Sequence, residues 1–156
     1  MLDLHIDDFY KDVAKTLVFL YQAFPRKIEL YVEDIHQADE PDEFGLHSKR
    51  FQACLGAMIW LGEEGYLRFE QLIRLEGLDQ AVLSHRSFMI LTSNRNIDTQ
   101  SNALGSDNAD AGAATATNVE ISNIDGLRQI LKSHSSEQLK WEITRLLSLN
   151  QHHTID

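Results

Sequence analysis

The chain has a single cysteine, only two prolines, and far fewer basic than acidic residues: 14 Lys and Arg against 24 Asp and Glu in 156 positions. One thiol excludes an intrachain disulfide. Cys54 also falls on an apolar helical stripe, where it reads as a small buried hydrophobe. No apolar run approaches the length of a membrane helix. The opening MLDLHIDDFY is acidic and lacks the basic and apolar parts of a secretory signal. Together these features give the expectation of a cytoplasmic protein without a membrane partner. The net charge of −10 works against polyanions, because the field of the whole molecule slows their approach. Glycine-rich phosphate loops, nucleophile elbows and metal-spaced histidine pairs are also missing. His47 beside Ser48 and His85 beside Arg86 are isolated polar residues near helix starts, and His152-His153 reads as a frayed tail. The expectation is no catalysis, no metal and no cofactor.

What is present is unevenly charged. Residues 1–46 hold 11 acids and 4 bases, a net of −7; residues 47–97 hold 5 and 6, a net of +1; residues 98–156 hold 8 and 4, a net of −4. Any basic face has to come from the middle segment.

That segment opens with the stretch around which the chain is organised, HSKRFQACLGAMIWLGEEGYL over residues 47–67. Ser48 is a natural N-cap, its hydroxyl accepting from an otherwise unpartnered N–H. Phe51, Cys54, Leu55, Met58 and Leu61 recur at helical steps. Gly65 suits a left-handed helix end, and the chain leaves as Tyr66-Leu67-Arg68-Phe69. Gly56 and Gly62 cost the helix about 1 kcal/mol each against alanine, which close packing on a neighbouring helix would explain. Lys49 and Arg50 oppose the helix dipole at its positive end. Two accounts fit them: they face phosphates or base edges, or they neutralise the acidic residues just before them.

After the helix, Tyr66–Ile73 is rich in aromatic and β-branched residues. Arg74-Leu75-Glu76-Gly77 turns it back into a strand over Asp79–Leu83, and Ser84 caps a short helix over His85–Leu91. The competing reading is one helix over Leu75–Leu91. Gly77 within it and the Ser84 cap favour the hairpin.

Upstream, Ile6, Phe9, Tyr10, Val13, Leu17, Leu20, Tyr21 and Phe24 mark a first helix, stopped by Pro25. Its second half is apolar nearly all round, so Val18 and Phe19 need a second burial surface, from a partner subunit or from the C-terminal helices. Lys27–Tyr31 reads as extended and Val32–His36 as a short helix. QADEPDEFGLH follows, with acids at Asp39, Glu40, Asp42 and Glu43. Their spacing does not fit a calcium-binding EF-hand loop. A solvated loop is the better account, and it could fold over the basic start of the next helix. Residues 92–120 have a composition that cannot offset the cost of ordering the backbone, and read as a flexible linker. Ile124, Leu127, Ile130 and Leu131 then mark one short helix. Leu139, Ile143, Leu146 and Leu147 mark another, begun by Ser135 and Gln138. Such helices need a docking surface, in the same chain or in a second copy.

The periodic stripe of Phe51–Leu61, the exit LGEEGYLRF and the ending LSHRS together resemble the winged helix-turn-helix superfamily over residues 6–91. The resemblance implies three helices and a hairpin, often in a dimeric DNA-binding protein. The sequence departs from the family in two places: a long acidic loop replaces the tight turn before the third helix, and Ser87 stands where glycine is common. The fold expected is mostly α with a small β-hairpin: a winged-helix domain over 1–91, a linker over 92–120 and C-terminal helices over 121–150 for dimerisation or docking. Two functions follow. One is a dimeric transcriptional regulator of bacterial type binding double-stranded DNA, with Lys49, Arg50 and Gln52 in the major groove and Arg68 and Arg74 on phosphates. The other is an acidic winged-helix module that binds a protein partner in a larger assembly, without DNA binding of its own.

Overall fold

The computed structural model describes residues 3–95 and 121–149. The elements in order are α1 (Leu4–Ala23), β1 (Ile28–Tyr31), α2 (Val32–Ile35), α3 (Lys49–Glu63), β2 (Leu67–Arg68), β3 (Gln71–Ile73), β4 (Gly77–Leu83), α4 (His85–Thr92), α5 (Asn123–Ser133) and α6 (Ser136–Ser148). The protein is mostly helical with a small antiparallel sheet, as the sequence leads one to expect.

The helix starts are set locally. Ser48, Ser84 and Ser135 each accept a backbone N–H from three residues on, from Phe51, Ser87 and Gln138. Between β3 and β4 the chain reverses in a tight turn closed by Glu76 N–H on the Ile73 carbonyl at 2.8 Å. Arg74 and Leu75 both have positive φ, 47° and 58°. A two-residue hairpin needs this backbone to match strand twist, usually from Asn or Gly. The second stretch of the hairpin is therefore strand, and one helix over 75–91 does not form.

β4 is the centre of the sheet. On one side it pairs with β1, Leu30 facing Leu78; on the other it pairs with β3 and then β2, Leu72 facing Leu78 and Leu67 facing Leu83. Gly77 is required where β1 crosses, since a Cβ there would lie 2.6 Å from the Leu30 carbonyl oxygen. The two glycines of α3 have other surroundings. Gly56 faces open space, and a Cβ on Gly62 would meet the Phe69 ring, so neither packs against a helix. Ser87 has a positive reason to be there: its buried hydroxyl donates to the Tyr66 carbonyl at 2.6 Å, tying α4 to the start of β2.

α1 is the axis of the core. It packs on α3, on β4, and on both C-terminal helices. Val13, Leu17 and Leu20 share one buried cluster with Met58 and Leu61 of α3, Leu127 of α5, and Ile143 and Leu146 of α6. The second burial surface demanded by the apolar half of α1 is thus supplied within the chain. Val18 and Phe19 are half-buried and pack against this cluster, while α5 and α6 dock on α1 in the same chain. Residues 93–95 form an isolated bridge with 121–123, and residues 96–120 of the expected linker lie outside the described residues.

A buried carboxylate holds the C-terminal helices in place. Glu142 of α6 is 0% exposed, and it accepts from Arg95 at 2.8 Å and from Arg145 at 2.6 Å. Arg145 also donates to the Asn123 side chain, whose amide in turn donates to the Ile90 carbonyl. The Arg95 guanidinium passes over Gly126, where a Cβ would meet it at 2.8 Å. A charge removed from water is tolerated only when opposite charges and hydrogen bonds surround it, and here both do.

Candidate functional site

The start of α3 gathers most of the polar chemistry. Asp39 reaches back from the acidic loop, accepting the Ser48 backbone N–H at 2.7 Å and meeting His47 Nδ1 at 3.3 Å. The Ser48 amide holds the Asp39 carboxyl below its ordinary range, the His47 contact adding to this. A carboxylate here complements the positive end of the helix dipole. His47 Nε2 meets Glu76 of the hairpin turn at 3.2 Å, and its ring stacks on Phe51 with centroids 3.8 Å apart. Both ring nitrogens are therefore engaged by carboxylates. The loop does fold over the helix start, as one sequence reading had it. It does so through Asp39 and the backbone, not through Lys49 or Arg50.

Arg50 points the other way. Its guanidinium donates twice to Asp12 of α1, both at 2.7 Å, and lies 3.4 Å from Asp8. Asp12 is 1% exposed, so Arg50 neutralises a carboxylate inside the α1–α3 interface. Hydrogen bonding to Asp12 raises the Arg50 pKa further. Cys54, one turn on, is pushed up to about 12, first by burial and then by the Asp12 charge. It is a neutral packed thiol at ordinary pH. Of the two accounts of Arg50, neutralisation of the loop just before it does not hold: Arg50 faces an acid 38 positions away.

The other expected contact residues are Lys49 and Gln52 in the first turn of α3, Arg68 on β2 and Arg74 on the hairpin turn. Gln52 is exposed, with its amide donating to the His47 carbonyl at 2.9 Å. Lys49, Arg68 and Arg74 are exposed, with no ion pair to other described residues. Lys49 begins α3, whereas Arg68 lies past its other end, about 20 Å of helix away. Arg74 sits on the hairpin turn. Along the outer face of α3, between Gln52 and Glu63, the exposed residues are Ala53 and Gly56. Of the five, Arg68 is set apart beyond the far end of α3, and Arg50 is turned inward to Asp12.

Sequence reasoning missed the apolar side chains at this end. The loop closes on itself: the Asp42 carboxylate accepts the Phe44 and Leu46 N–H groups at 2.9 Å each, and Gly45 takes the φ of 77° that the turn requires. This turn leaves Phe44 81% and Leu46 61% exposed. Leu75, next to Glu76 on the hairpin turn, is 66% exposed. The His47–Glu76 contact joins the two segments, since His47 follows Leu46 and Glu76 follows Leu75. Between them opens a cleft of about 170 Å³, lined by Tyr31, Glu33, Pro41 and Phe51 together with Asp39, His47 and Glu76. The available signal was DEFGLH, three apolar or small residues set among acids with no period to bury them.

Among the described residues, no group of three or more His, Cys, Asp and Glu side chains is arranged to hold a metal, and no helix is long and apolar enough to cross a membrane. Compared with family models, curated proteins and solved structures, the chain matches none.

Proposed function

We propose that this chain is a non-catalytic protein-interaction module on a winged-helix scaffold, acting in the cytoplasm as part of a larger assembly. The scaffold reading is supported by the element order, with β1 between the first two helices and the hairpin after α3, and by β1 lying beside β4. The observation that carries the function is the inward turn of Arg50. With that cation spent on Asp12 and the helix end occupied by Asp39, the outer face of α3 offers Lys49, Gln52, Ala53 and Gly56. Groove binding draws most of its affinity from several phosphate contacts, and this face supplies one lysine.

A dimeric DNA-binding regulator is the second reading, supported by the exposed Lys49, Arg68 and Arg74. The two separate in a titration of labelled duplex DNA against salt, starting near 50 mM. The module reading expects no salt-dependent binding, for the wild type or for the Glu40→Gln/Glu43→Gln variant. It also expects a stoichiometric protein partner on purification from the cells of origin. Binding with a steep salt slope, reduced by about one unit by each of Lys49→Ala, Arg68→Ala and Arg74→Ala, would establish the DNA reading instead.

A further inference from the structure

We infer that the end of the molecule formed by the acidic loop and the hairpin turn is the docking surface, and that its occupant is a cationic segment of another protein carrying apolar side chains beside its lysines or arginines. The inference rests on the module reading and specifies its partner.

Three observations meet there. The first is apolar: Phe44, Leu46 and Leu75 stand in water on either side of the His47–Glu76 contact. They are held out by structure. Asp42 ties down the turn beneath Phe44 and Leu46, and Leu75 occupies a left-handed conformation that costs a non-glycine residue energy. A small apolar cluster fixed outward in this way, rimmed by polar groups, is what interfaces bury.

The second is charge. From Ile28 to Ser48 the chain has seven carboxylates and no lysine or arginine. Among the described residues, Asp39 meets His47 and the Ser48 amide, and Glu29 meets the Tyr31 hydroxyl; no lysine or arginine pairs with any of the seven. With Glu76 these carboxylates outnumber Lys49 and Arg74, the exposed cations that border the surface, and this net negative field selects the partner. A second copy of the chain would bring the same carboxylates against these, and nucleic acid would bring phosphates. A cationic protein segment is attracted, and complementary charge would also speed its encounter.

The third is the cleft. Glu33, Asp39 and Glu76 line an opening of about 170 Å³ beside the stacked His47 and Phe51 rings. A lysine or arginine stem can lie along Tyr31 and Pro41, which also line the opening, while its head meets carboxylates. Apolar side chains flanking it in the partner then cover Phe44, Leu46 and Leu75.

The test places a photo-reactive p-benzoylphenylalanine at position 44, 75, 89 or 141 of the full chain, one at a time, in the cells of origin. All four positions are exposed. After irradiation, the cross-linked segment is sequenced, synthesised as a peptide and titrated against the purified protein. The expected result is adducts from positions 44 and 75 to a segment with net positive charge and apolar residues. Its affinity should fall about tenfold or more in Phe44→Ser and in Leu75→Asn. Its salt dependence should weaken in Glu40→Gln/Glu43→Gln. Leu75→Asn is informative because asparagine tolerates the left-handed backbone, so the melting temperature should hold or rise while binding is lost. Adducts from positions 89 or 141 alone, an acidic or neutral segment, a second copy of this chain, or affinity unchanged in both apolar variants would each overturn the surface and leave the module reading standing. No protein adduct from any of the four positions would bring down both.

Discussion

Asp12 and Glu142 are buried and each is met by arginine, whereas Glu40 and Glu43 of the loop between α2 and α3 stand in water with no ion pair to other described residues. The same side-chain chemistry thus does two jobs. In the interior, a carboxylate specifies which helices meet, because only a geometry that brings an arginine to it is tolerated. On the loop, Glu40 and Glu43 hold no described group in place and set the charge of a surface. The net charge of −10 by itself does not distinguish them.

The contrast breaks most visibly at Glu142. Glu142→Ala leaves Arg95 and Arg145 without their shared acceptor and should cost about 3–5 kcal/mol. Urea denaturation followed in a Trp60→Phe background, where Trp141 on α6 reports, should show the C-terminal helices loosening first. Asp12→Ala comes next, at about 3 kcal/mol, with Asp8 still beside Arg50 as partial compensation. The double replacement Asp12→Leu/Arg50→Met should recover most of that loss, which would show that the pair specifies the α1–α3 contact more than it stabilises it.

Raising the pH should act on the same interface more modestly. The unfolded Cys54 thiol ionises near its ordinary value of 9.0, while the folded one holds its proton to about 12. Stability attributable to this group is intact below pH 9 and lost as pH rises from there toward 12. Denaturant midpoints at pH 8 and 10 should therefore diverge more in the wild type than in Cys54→Ala. Gly56→Ala, in open space on the outer face of α3, should stabilise by about 1 kcal/mol. The smallest effect belongs to the loop: Glu40→Gln and Glu43→Gln should each move stability by less than about 0.5 kcal/mol by thermal melting. A larger loss would mean that these acids hold the fold after all.

Much of the fold was legible because it is written in short-range pattern. The stripe of α1, the serine caps at 48, 84 and 135, and the reversal at Arg74–Gly77 each depend on residues a few positions apart. The partners of Arg50, Arg95 and Arg145 were not legible. Asp12 sits one position from the apolar stripe of α1, and nothing within its helix says that an arginine 38 residues on will cover it. Glu142 likewise lies within an amphipathic pattern that reads well without it. The candidate surface was hidden for a different reason. Periodicity finds residues that go inside, and Phe44, Leu46 and Leu75 are apolar residues kept outside by an aspartate cap and a left-handed turn.

Helix α1 is synthesised well before two of the helices that pack on it. α1 is complete at residue 23, yet α5 and α6, which cover much of its apolar half, span residues 123–148. Synthesis at 5–20 residues per second leaves that half uncovered for several seconds at least. During that interval the face of α1 that α5 and α6 cover is open to chaperones and to other nascent chains. A ribosome stalled or truncated before residue 123 would release a chain with an exposed apolar helix. The cost of an interlock between α1 and the pair α5 and α6 falls on biosynthesis, and aggregation of products truncated before residue 123 is where it should first be seen.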